Sequence, residues 1–392
     1  MKTSKLLEQL PEQFFASLVL KVNQAVQNGF DVINLGQGNP DQPTPDHIIK
    51  ALQKAVENPI THRYSPFRGT HTLKNAVAEF YKREYDVILD PEEEVAILFG
   101  GKAGLVELPI CLCDPGDTVL VPDPGYPDYL SGIALSNTVP FTMPLIEEND
   151  FLPDYKLIPE EVLEASKILF INYPNNPTGA VATEQFFLDT VELAQKNNIT
   201  VCHDFAYGAF GFDGKKPLSY LQTPCAKECG IEIYTLSKTY NMAGWRIGFA
   251  VGKKEVISAI NLLQDHLYVS IFPAIQEAAS TALLDSQQCV EELSALYEER
   301  RNVLIRGCHD IGWEVLAPAG SFFAWLKVPK GFTSQSFADL LLEKAHIAVA
   351  PGNGFGVHGE GYVRVGLLTD INRIEEAIER LKSLEIFSEF NV

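Results

Sequence analysis

The residues best suited to covalent chemistry surround Lys238. The apolar run 231–236 predicts a strand that delivers this amine, and the hydroxyl groups beside it, to a loop. A lysine that is partly desolvated has a lowered pKa, and its neutral amine can condense with an aldehyde. Eight residues later Arg246 lies between small and apolar neighbours, and with the hydroxyls of Thr235 and Ser237 it could grip a phosphate. The stretch therefore indicates a ligand that carries both an aldehyde and a phosphate.

Asp204 and Tyr207 add the groups that a pyridine ring would need. Asp204 ends the predicted strand 200–204, and Asn176 lies in an Asn-Asn-Pro-Thr-Gly turn after the predicted strand 168–172. A pyridine ring draws electrons only while its nitrogen is protonated, and a buried carboxylate raises the pKa of that nitrogen. Tyr207 and Asn176 are candidates to share the oxygen of a ring hydroxyl. Taken singly, Asp204 is equally a candidate helix cap, and the Asn176 segment a plain turn. With the lysine and arginine above, the set indicates pyridoxal 5′-phosphate.

Other candidate residues give weaker signals. Gly101 and Lys102 follow a predicted strand and open a helix, where free backbone N–H groups suit an anion, although such glycine turns are often only turns. Tyr126, in a Pro-Gly-Tyr-Pro segment, could stack on a ring or merely pack in the core. Arg364 is a charge within a predicted strand and offers a two-pronged donor for a carboxylate, unless it is simply exposed. Tyr64 is unremarkable by itself.

The elements that must position these residues alternate between strand and helix. The predicted strands are fully apolar, as expected of strands covered on both faces. They are 95–99, 118–121, 168–172, 200–204, 231–235 and 248–251, and helices 104–113 and 183–197 lie between them. The pattern predicts a mostly parallel α/β sheet with its ligand at the carboxyl ends of the strands.

The pattern changes after about residue 255 and predicts a smaller α+β domain. The predicted elements there are helices 277–306, 334–344 and 372–384 and strands 321–328 and 361–367. The first 40 residues hold a helix, 14–28, and a turn, 36–40, with no strand–helix alternation of their own, so we expect them to pack with the C-terminal domain. The predicted units are an N-terminal segment 1–45, a large cofactor-binding domain 46–285 and a small domain 286–392.

Composition excludes several classes of function. The 392 residues include 51 acidic and 31 basic side chains, and the net charge of −20 repels nucleic acid and anionic membranes. No run approaches the roughly 20 apolar residues of a membrane helix, and the first eight residues do not resemble a signal peptide. The seven cysteines are scattered without a metal-binding spacing, so we expect no metal and a reduced, cytoplasmic protein.

Taken in order along the chain, these motifs resemble the class I aminotransferases of the fold type I pyridoxal-phosphate enzymes. The resemblance runs from Asn34 to the C-terminal helix. It is most specific at 176–179, at 237–238 with 244–248, and at 363–365. Segments 14–19, 34–43 and 100–105 are most similar to the methionine-salvage branch of that family, which acts on 4-methylthio-2-oxobutanoate. The resemblance implies a large domain with a mainly parallel seven-stranded sheet, flanked by helices, and a smaller domain that closes over the substrate.

The resemblance also implies a role for each matching residue. Lys238 would hold the cofactor as a Schiff base and move the substrate proton, Asp204 would bind the pyridine nitrogen, and Tyr126 would stack on the ring. The 3-hydroxyl oxygen would be bound by Tyr207 and Asn176. The phosphate would be held by the Gly101 and Lys102 amides, by Ser237 or Thr235, and by Arg246. Arg364, beside the Gly38 backbone, would bind the substrate carboxylate. Tyr64 would reach the phosphate of the neighbouring subunit, so the enzyme would be a homodimer.

One departure from the family bears on specificity. Relatives that act on dicarboxylates use a second arginine, whereas the stretch 265–272 offers mainly aromatic and apolar groups, which favours an uncharged substrate side chain. Other specificities stay open, namely aspartate, alanine, aromatic or diaminopimelate. A C–S β-lyase on the same scaffold is a second hypothesis, because the cofactor sets the reaction and the protein orients the bond that breaks. A non-catalytic transcription regulator is a third, and the acidic charge and the mere 30 or so residues before the 36–40 turn oppose it.

Overall fold

Seven strands form the main sheet of the computed structural model, which describes residues 2–11 and 14–387. Their spatial order is β2, β8, β7, β6, β5, β3, β4, and every strand runs in the same direction except β8, which is antiparallel to both neighbours. The strands are β2 (Val95–Leu98), β3 (Thr118–Asp123), β4 (Val139–Pro144), β5 (Ser166–Asn172), β6 (Thr200–Asp204), β7 (Gly230–Thr235) and β8 (Gly248–Gly252). The predicted α/β class with a mainly parallel seven-stranded sheet is confirmed.

Helices cover both faces of this sheet. In β5 and β6 alternate residues enter two different apolar clusters, which lie on opposite faces because successive strand side chains point in opposite directions. The helices of the described chain are α1 (Lys5–Glu8), α2 (Phe14–Gln27), α3 (Asp46–Val56), α4 (His71–Tyr85), α5 (Gly101–Leu112), α6 (Tyr129–Ser136), α7 (Glu160–Ala165), α8 (Glu184–Asn197), α9 (Ala226–Cys229), α10 (Leu236–Thr239), α11 (Lys254–Leu267), α12 (Pro273–Leu284), α13 (Gln288–Asp310), α14 (Ser334–Leu340) and α15 (Ile371–Lys382).

A smaller assembly follows α12. Strands β9 (Phe323–Lys327), β11 (Ala350–Pro351) and β12 (Tyr362–Gly366) form an antiparallel sheet, while β1 (Ile33–Asn34) pairs in parallel with β10 (Ile347–Ala348). Ile33 and Leu35 share one buried cluster with residues of α13, β9, β12 and α15. This contact agrees with the expected packing of the N-terminal segment, although the limits 1–45, 46–285 and 286–392 stay a prediction. Residues 1, 12–13 and 388–392 of those units lie outside the described residues.

One predicted helix is wrong, and one strand of the main sheet was not predicted. The helix predicted over 277–306 is broken between α12 and α13, where the Gln287 side chain donates to the carbonyls of Ala282 and Asp285 at 3.0 and 2.8 Å. Strand β4 was not predicted, because it is a partly exposed edge strand that contains Pro140 and Pro144 and therefore lacks an apolar run.

The described residues contain no helix long and apolar enough to span a membrane. Within the same part of the chain, no group of three or more His, Cys, Asp or Glu side chains is placed to hold a metal ion.

Candidate active site

A cavity of about 300 Å³ lies at the carboxyl ends of β6 and β7, between the main sheet and the small sheet. It brings together all the predicted site residues except Tyr64. Those that line it are Gly38, Gly101, Lys102, Tyr126, Asn176, Asp204, Tyr207, Thr235, Ser237, Lys238, Arg246 and Arg364. The lining also contains five residues that were not predicted, namely Phe15, Leu105, Ala206, Ala243 and Phe323.

Lys238 lines the cavity from the single turn α10, which follows β7. Thr235 begins this turn, and its hydroxyl accepts a hydrogen bond from the Ser237 N–H at 3.2 Å. The Lys238 ammonium donates to the Gly38 carbonyl at 2.9 Å. Burial, and then the nearby charges of Arg364 and Arg246, lower the pKa of Lys238 to about 8. About a tenth of this amine is therefore neutral and nucleophilic at pH 7, far more than for an ordinary lysine.

Asp204 ends β6 and lies deep in the cavity. One carboxylate oxygen accepts the Tyr129 hydroxyl at 2.8 Å, and the other accepts the Ala206 N–H at 3.3 Å. The Asn172 amide donates to the Asp204 backbone carbonyl at 2.7 Å and fixes the end of the strand. Burial raises the pKa of Asp204, and no cation of the described chain forms an ion pair with it. A buried carboxylate without a cation suits a ligand that brings a protonated ring nitrogen.

Groups that could hold a phosphate line the same cavity as Lys238, at the start of α5 and at Arg246. Helix α5 begins at Gly101, so the first N–H groups of the helix have no partner within it. Gly100 has φ +84°, and a Cβ there would lie 2.4 Å from Arg246 Nη2, so the arginine packs directly on the turn. Arg246 Nη1 donates to the Ala243 carbonyl at 2.8 Å, which orients the guanidinium group. The helix end, the guanidinium and the Ser237 hydroxyl suit a phosphate dianion.

Arg364 lies on β12 and is 2% exposed, with no carboxylate partner among the described residues. Its Nη1 donates to the Asn176 side-chain oxygen at 2.9 Å and its Nη2 to the Gly36 carbonyl at 3.1 Å, while the buried Nε has no hydrogen-bond partner. Burial lowers the pKa of Arg364 to about 10, so the group stays charged at neutral pH. A buried cation with an unpaired donor suits an incoming carboxylate.

Three aromatic rings surround the Arg364 guanidinium. The ring centres of Phe323, Phe355 and Phe15 lie 3.9, 4.8 and 5.1 Å from its central carbon. Such contacts stabilise the cation and keep water away from it. These phenylalanines come from β9, the loop after β11 and α2, so no local motif links them to the arginine.

The comparisons with known proteins agree with this geometry. The sequence model of the family "Aminotransferase class I and II" matches residues 31–381. The chain belongs to the class I and II aminotransferases.

Named relatives resemble the aminotransferase over its whole length. It is 64% identical to the L-glutamine–4-(methylsulfanyl)-2-oxobutanoate aminotransferase of Bacillus subtilis, across 99% of this chain and 98% of the relative. It is 44% identical to the LL-diaminopimelate aminotransferase of Halothermothrix orenii, across 98% of this chain and 99% of that one. The solved structure of substrate-bound BacF from Bacillus subtilis matches with a TM-score of 0.95 and 47% identity, covering 98% of each chain.

Three predicted residues of the aminotransferase have surroundings that refine their assignment. The Asn176 oxygen accepts from Arg364, so its amide nitrogen is the atom that can donate to a ring oxygen. The Lys102 ammonium pairs with Asp128 at 2.9 Å, which leaves its backbone amide as the group for a phosphate. Tyr64 lies outside the cavity and is 86% exposed, so its predicted role depends on a second subunit and stays a prediction.

Tyr129 is a functional candidate that sequence reasoning missed. It is buried, donates to Asp204 and packs edge-on against Tyr126, with ring centres 5.8 Å apart. The signal that could have revealed it is its position three residues after Tyr126, which places both rings at one end of α6.

Proposed function

We propose that the aminotransferase works with pyridoxal 5′-phosphate attached to Lys238 in this cavity. Bound there, the cofactor supplies the aldehyde carbon that exchanges amino groups and a ring that draws electrons from the substrate α-carbon. The observation that carries the proposal is the arrangement of three groups that line one cavity. Asp204 is a buried carboxylate without a cation, Arg364 is a buried cation without a carboxylate, and the partly buried, nucleophilic Lys238 is close enough for both charges to shift its pKa. A cofactor with a protonated ring nitrogen would pair with Asp204, and a substrate with a carboxylate would pair with Arg364.

The side chains then have separate tasks. Asp204 keeps the ring nitrogen protonated, and Tyr129 holds the carboxylate in place. The N-terminus of α5, Ser237 and Arg246 bind the phosphate. Arg364 orients the substrate through its carboxylate, and its aromatic surroundings exclude water. Once its amine is free, Lys238 acts as the general base that takes the proton from the substrate α-carbon, and the Gly38 carbonyl keeps that amine nearby.

We further propose 4-(methylsulfanyl)-2-oxobutanoate as the oxo-acid substrate and glutamine as an amino donor. The support is the 64% identity to the Bacillus subtilis enzyme with those substrates in its name. The lining agrees with an uncharged side chain, because Phe15, Leu105 and Phe323 are apolar and no arginine besides Arg246 and Arg364 lines the cavity in the described chain.

We propose that the active enzyme is a homodimer in the cytoplasm. Tyr64 belongs to a group of exposed aromatic and apolar side chains that a partner subunit would cover. The group consists of Ile60, Tyr64, Phe67, Leu267, Val269 and Phe272. Hydrogen bonds from Ser65 to Ser270 and from Arg68 to Asp265 hold its two segments together. All seven cysteines are free, which agrees with a reducing compartment.

Half-reactions on the purified holoenzyme test the proposed function. Methionine and glutamine should each shift the visible absorbance as the cofactor is aminated, and 4-(methylsulfanyl)-2-oxobutanoate should reverse the shift. Release of pyruvate and ammonia from cystathionine without an oxo acid would instead identify a C–S lyase.

Borohydride reduction followed by peptide mapping tests the attachment site independently of turnover. The label should be found on Lys238. If it is found only on other lysines, the assignment of the cavity is wrong.

A further inference from the structure

A polar contact joins the main sheet to the small sheet beside the cavity. Asp123, the last residue of β3, is 3% exposed. One of its carboxylate oxygens accepts the His358 backbone N–H at 3.0 Å, and the other lies 3.1 Å from His358 Nδ1. An ionised carboxylate only accepts hydrogen bonds, so Nδ1 carries the proton and donates. The imidazole can donate in this way whether it is neutral or charged.

The loop that carries His358 fits closely against the end of β3. The Gly125 N–H donates to the Phe355 carbonyl at 2.8 Å. Gly356 has φ +134°, and a Cβ at that position would lie 2.0 Å from Asp123 Oδ1. The backbone of residues 352–359 can therefore approach Asp123 only because glycine occupies position 356.

Both ends of this contact lead to the cavity. Gly125 precedes Tyr126, which lines the cavity on the cofactor side. The Phe355 ring lies 4.8 Å from the Arg364 guanidinium carbon and 5.8 Å from the ring centre of Phe15. The contact thus connects the wall that faces the cofactor to the aromatic surroundings of the substrate-binding arginine.

We propose that Asp123 and His358 are positioning residues that hold the 352–359 loop in the arrangement that binds substrate. This inference rests on the proposed role of Arg364 in binding the substrate carboxylate. The pair does not touch Lys238, so it should affect substrate affinity more than the rate of the chemical step. If losing the pair leaves only a fraction of molecules with the loop in place, the apparent Kd rises by the inverse of that fraction, while the saturated rate is unchanged.

Stopped-flow half-reactions with methionine test the proposal in three variants. His358→Ala removes the imidazole donor but keeps the backbone N–H, and it should raise the apparent Kd roughly five- to tenfold, with the limiting rate within about twofold of the wild type. His358→Asn places an uncharged N–H where Nδ1 lies and should restore the Kd to within about twofold. Val357→Ala, on the same loop and at a side chain 81% exposed, is the matched control and should behave as the wild type.

A double-mutant cycle separates pairing from general loosening of the loop. Asp123→Asn should raise the Kd, and adding His358→Ala to it should have less than the additive effect, because the two residues share one interaction. The proposal is overturned if His358→Ala leaves the Kd unchanged, if His358→Asn is no better than His358→Ala, or if the limiting rate falls as much as the affinity. Failure of the wild type to convert methionine would instead count against the proposed function.

Discussion

The two walls of the cavity are built in different ways. The cofactor wall, the side where we propose that the cofactor binds, carries Asp204, Lys238 and Arg246. It projects from β6, β7 and the turn before β8, so the buried main sheet fixes these groups. The substrate wall, the side where we propose that the substrate binds, carries Gly38, Phe15, Phe323 and Arg364. These residues come from the turn after β1, from α2, and from strands β9 and β12.

This difference separates the two tasks of the enzyme. The chemical step needs reacting groups at fixed positions, and the strand ends of a single sheet hold side chains rigidly. Substrate selection needs a surface that can vary, and segments that meet only in the tertiary structure supply it. Substitutions on the cofactor wall should therefore lower the rate of the chemical step, whereas those on the substrate wall should lower affinity.

The largest effect is expected from Lys238→Ala, which removes both the proposed attachment point and the proposed general base. Single-turnover rates of the methionine half-reaction should fall by roughly 10⁴-fold or more. Lys102→Ala is the matched control, since Lys102 lines the same cavity but its ammonium pairs with Asp128. The single-turnover rate of the control should fall by less than about tenfold, because the backbone amide of residue 102 remains. Substantial turnover by the Lys238→Ala enzyme would show that Lys238 is neither the attachment point nor the general base.

A paired substitution compares the walls directly. Asp204→Asn can keep the hydrogen bond to Tyr129 but removes the charge that we propose keeps the ring nitrogen of the cofactor protonated, so the limiting rate should fall roughly 10²- to 10³-fold with little change in Kd. Arg364→Lys keeps a charge but loses the two-pronged geometry, so the Kd of the amino acid should rise roughly 10- to 100-fold. Stopped-flow titrations give both quantities. If Asp204→Asn mainly raised the Kd and Arg364→Lys mainly lowered the limiting rate, the proposed division between the two walls would be wrong.

The pH dependence of aldehyde addition to the apoenzyme reports the pKa of Lys238, and charged residues on both walls shift that pKa. Its pKa of about 8 means that the neutral fraction of the amine grows as pH rises toward 8 and then levels off. Apoenzyme should therefore react with pyridoxal phosphate roughly tenfold faster per pH unit below that point and reach a plateau above it. Arg364 lowers this pKa and Asp204 raises it, so Arg364→Leu should move the inflection upward and Asp204→Asn downward. Shifts in the same direction would contradict these charge effects.

Stability should also depend on the anchoring of the substrate wall. Arg300, 1% exposed on α13, binds Asp41 through two hydrogen bonds of 2.9 and 2.8 Å, just after the turn that carries Gly38. Arg300→Met should lower the free energy of unfolding by about 1–3 kcal/mol, because it leaves the half-buried Asp41 carboxylate without a cation and the Leu367 carbonyl without this donor. Arg373, which binds Asp31 with the same two-pronged geometry but at the surface, is the control. Arg373→Met should cost less than about 1 kcal/mol in urea unfolding, and equal losses would contradict the argument from burial.

The same contrast explains what could be predicted from the sequence. Asp204, Asn176 and Lys238 follow apolar strands, and the carboxyl ends of parallel strands meet at one edge, so their convergence could be inferred from pattern alone. Phe15 and Phe323 carry no such signal, because a phenylalanine in a helix or strand looks like a core residue until the tertiary structure places it beside Arg364.

The limits of the fold prediction have equally local causes. Strand β4 was missed because edge strands tolerate proline and exposed residues. The break between α12 and α13 depends on side-chain hydrogen bonds from Gln287, which the periodicity of the apolar residues does not reveal. The cofactor wall is thus encoded locally, while the substrate wall depends on contacts distant in sequence.

The smallest effect is expected at Tyr64, which belongs to neither wall within one chain. Tyr64→Phe removes a hydroxyl from a side chain that is 86% exposed, so the free energy of unfolding should change by less than about 0.5 kcal/mol. If the hydroxyl reaches the phosphate of the partner subunit, the Kd for pyridoxal phosphate should still rise by roughly three- to tenfold, the loss of one hydrogen bond. Fluorescence titration of the apoenzyme measures that Kd, and Phe67→Leu in the same exposed group is the control. An unchanged Kd in the Tyr64 variant would mean that the cavity of one chain holds the phosphate unaided, and the proposed dimer would then need another justification.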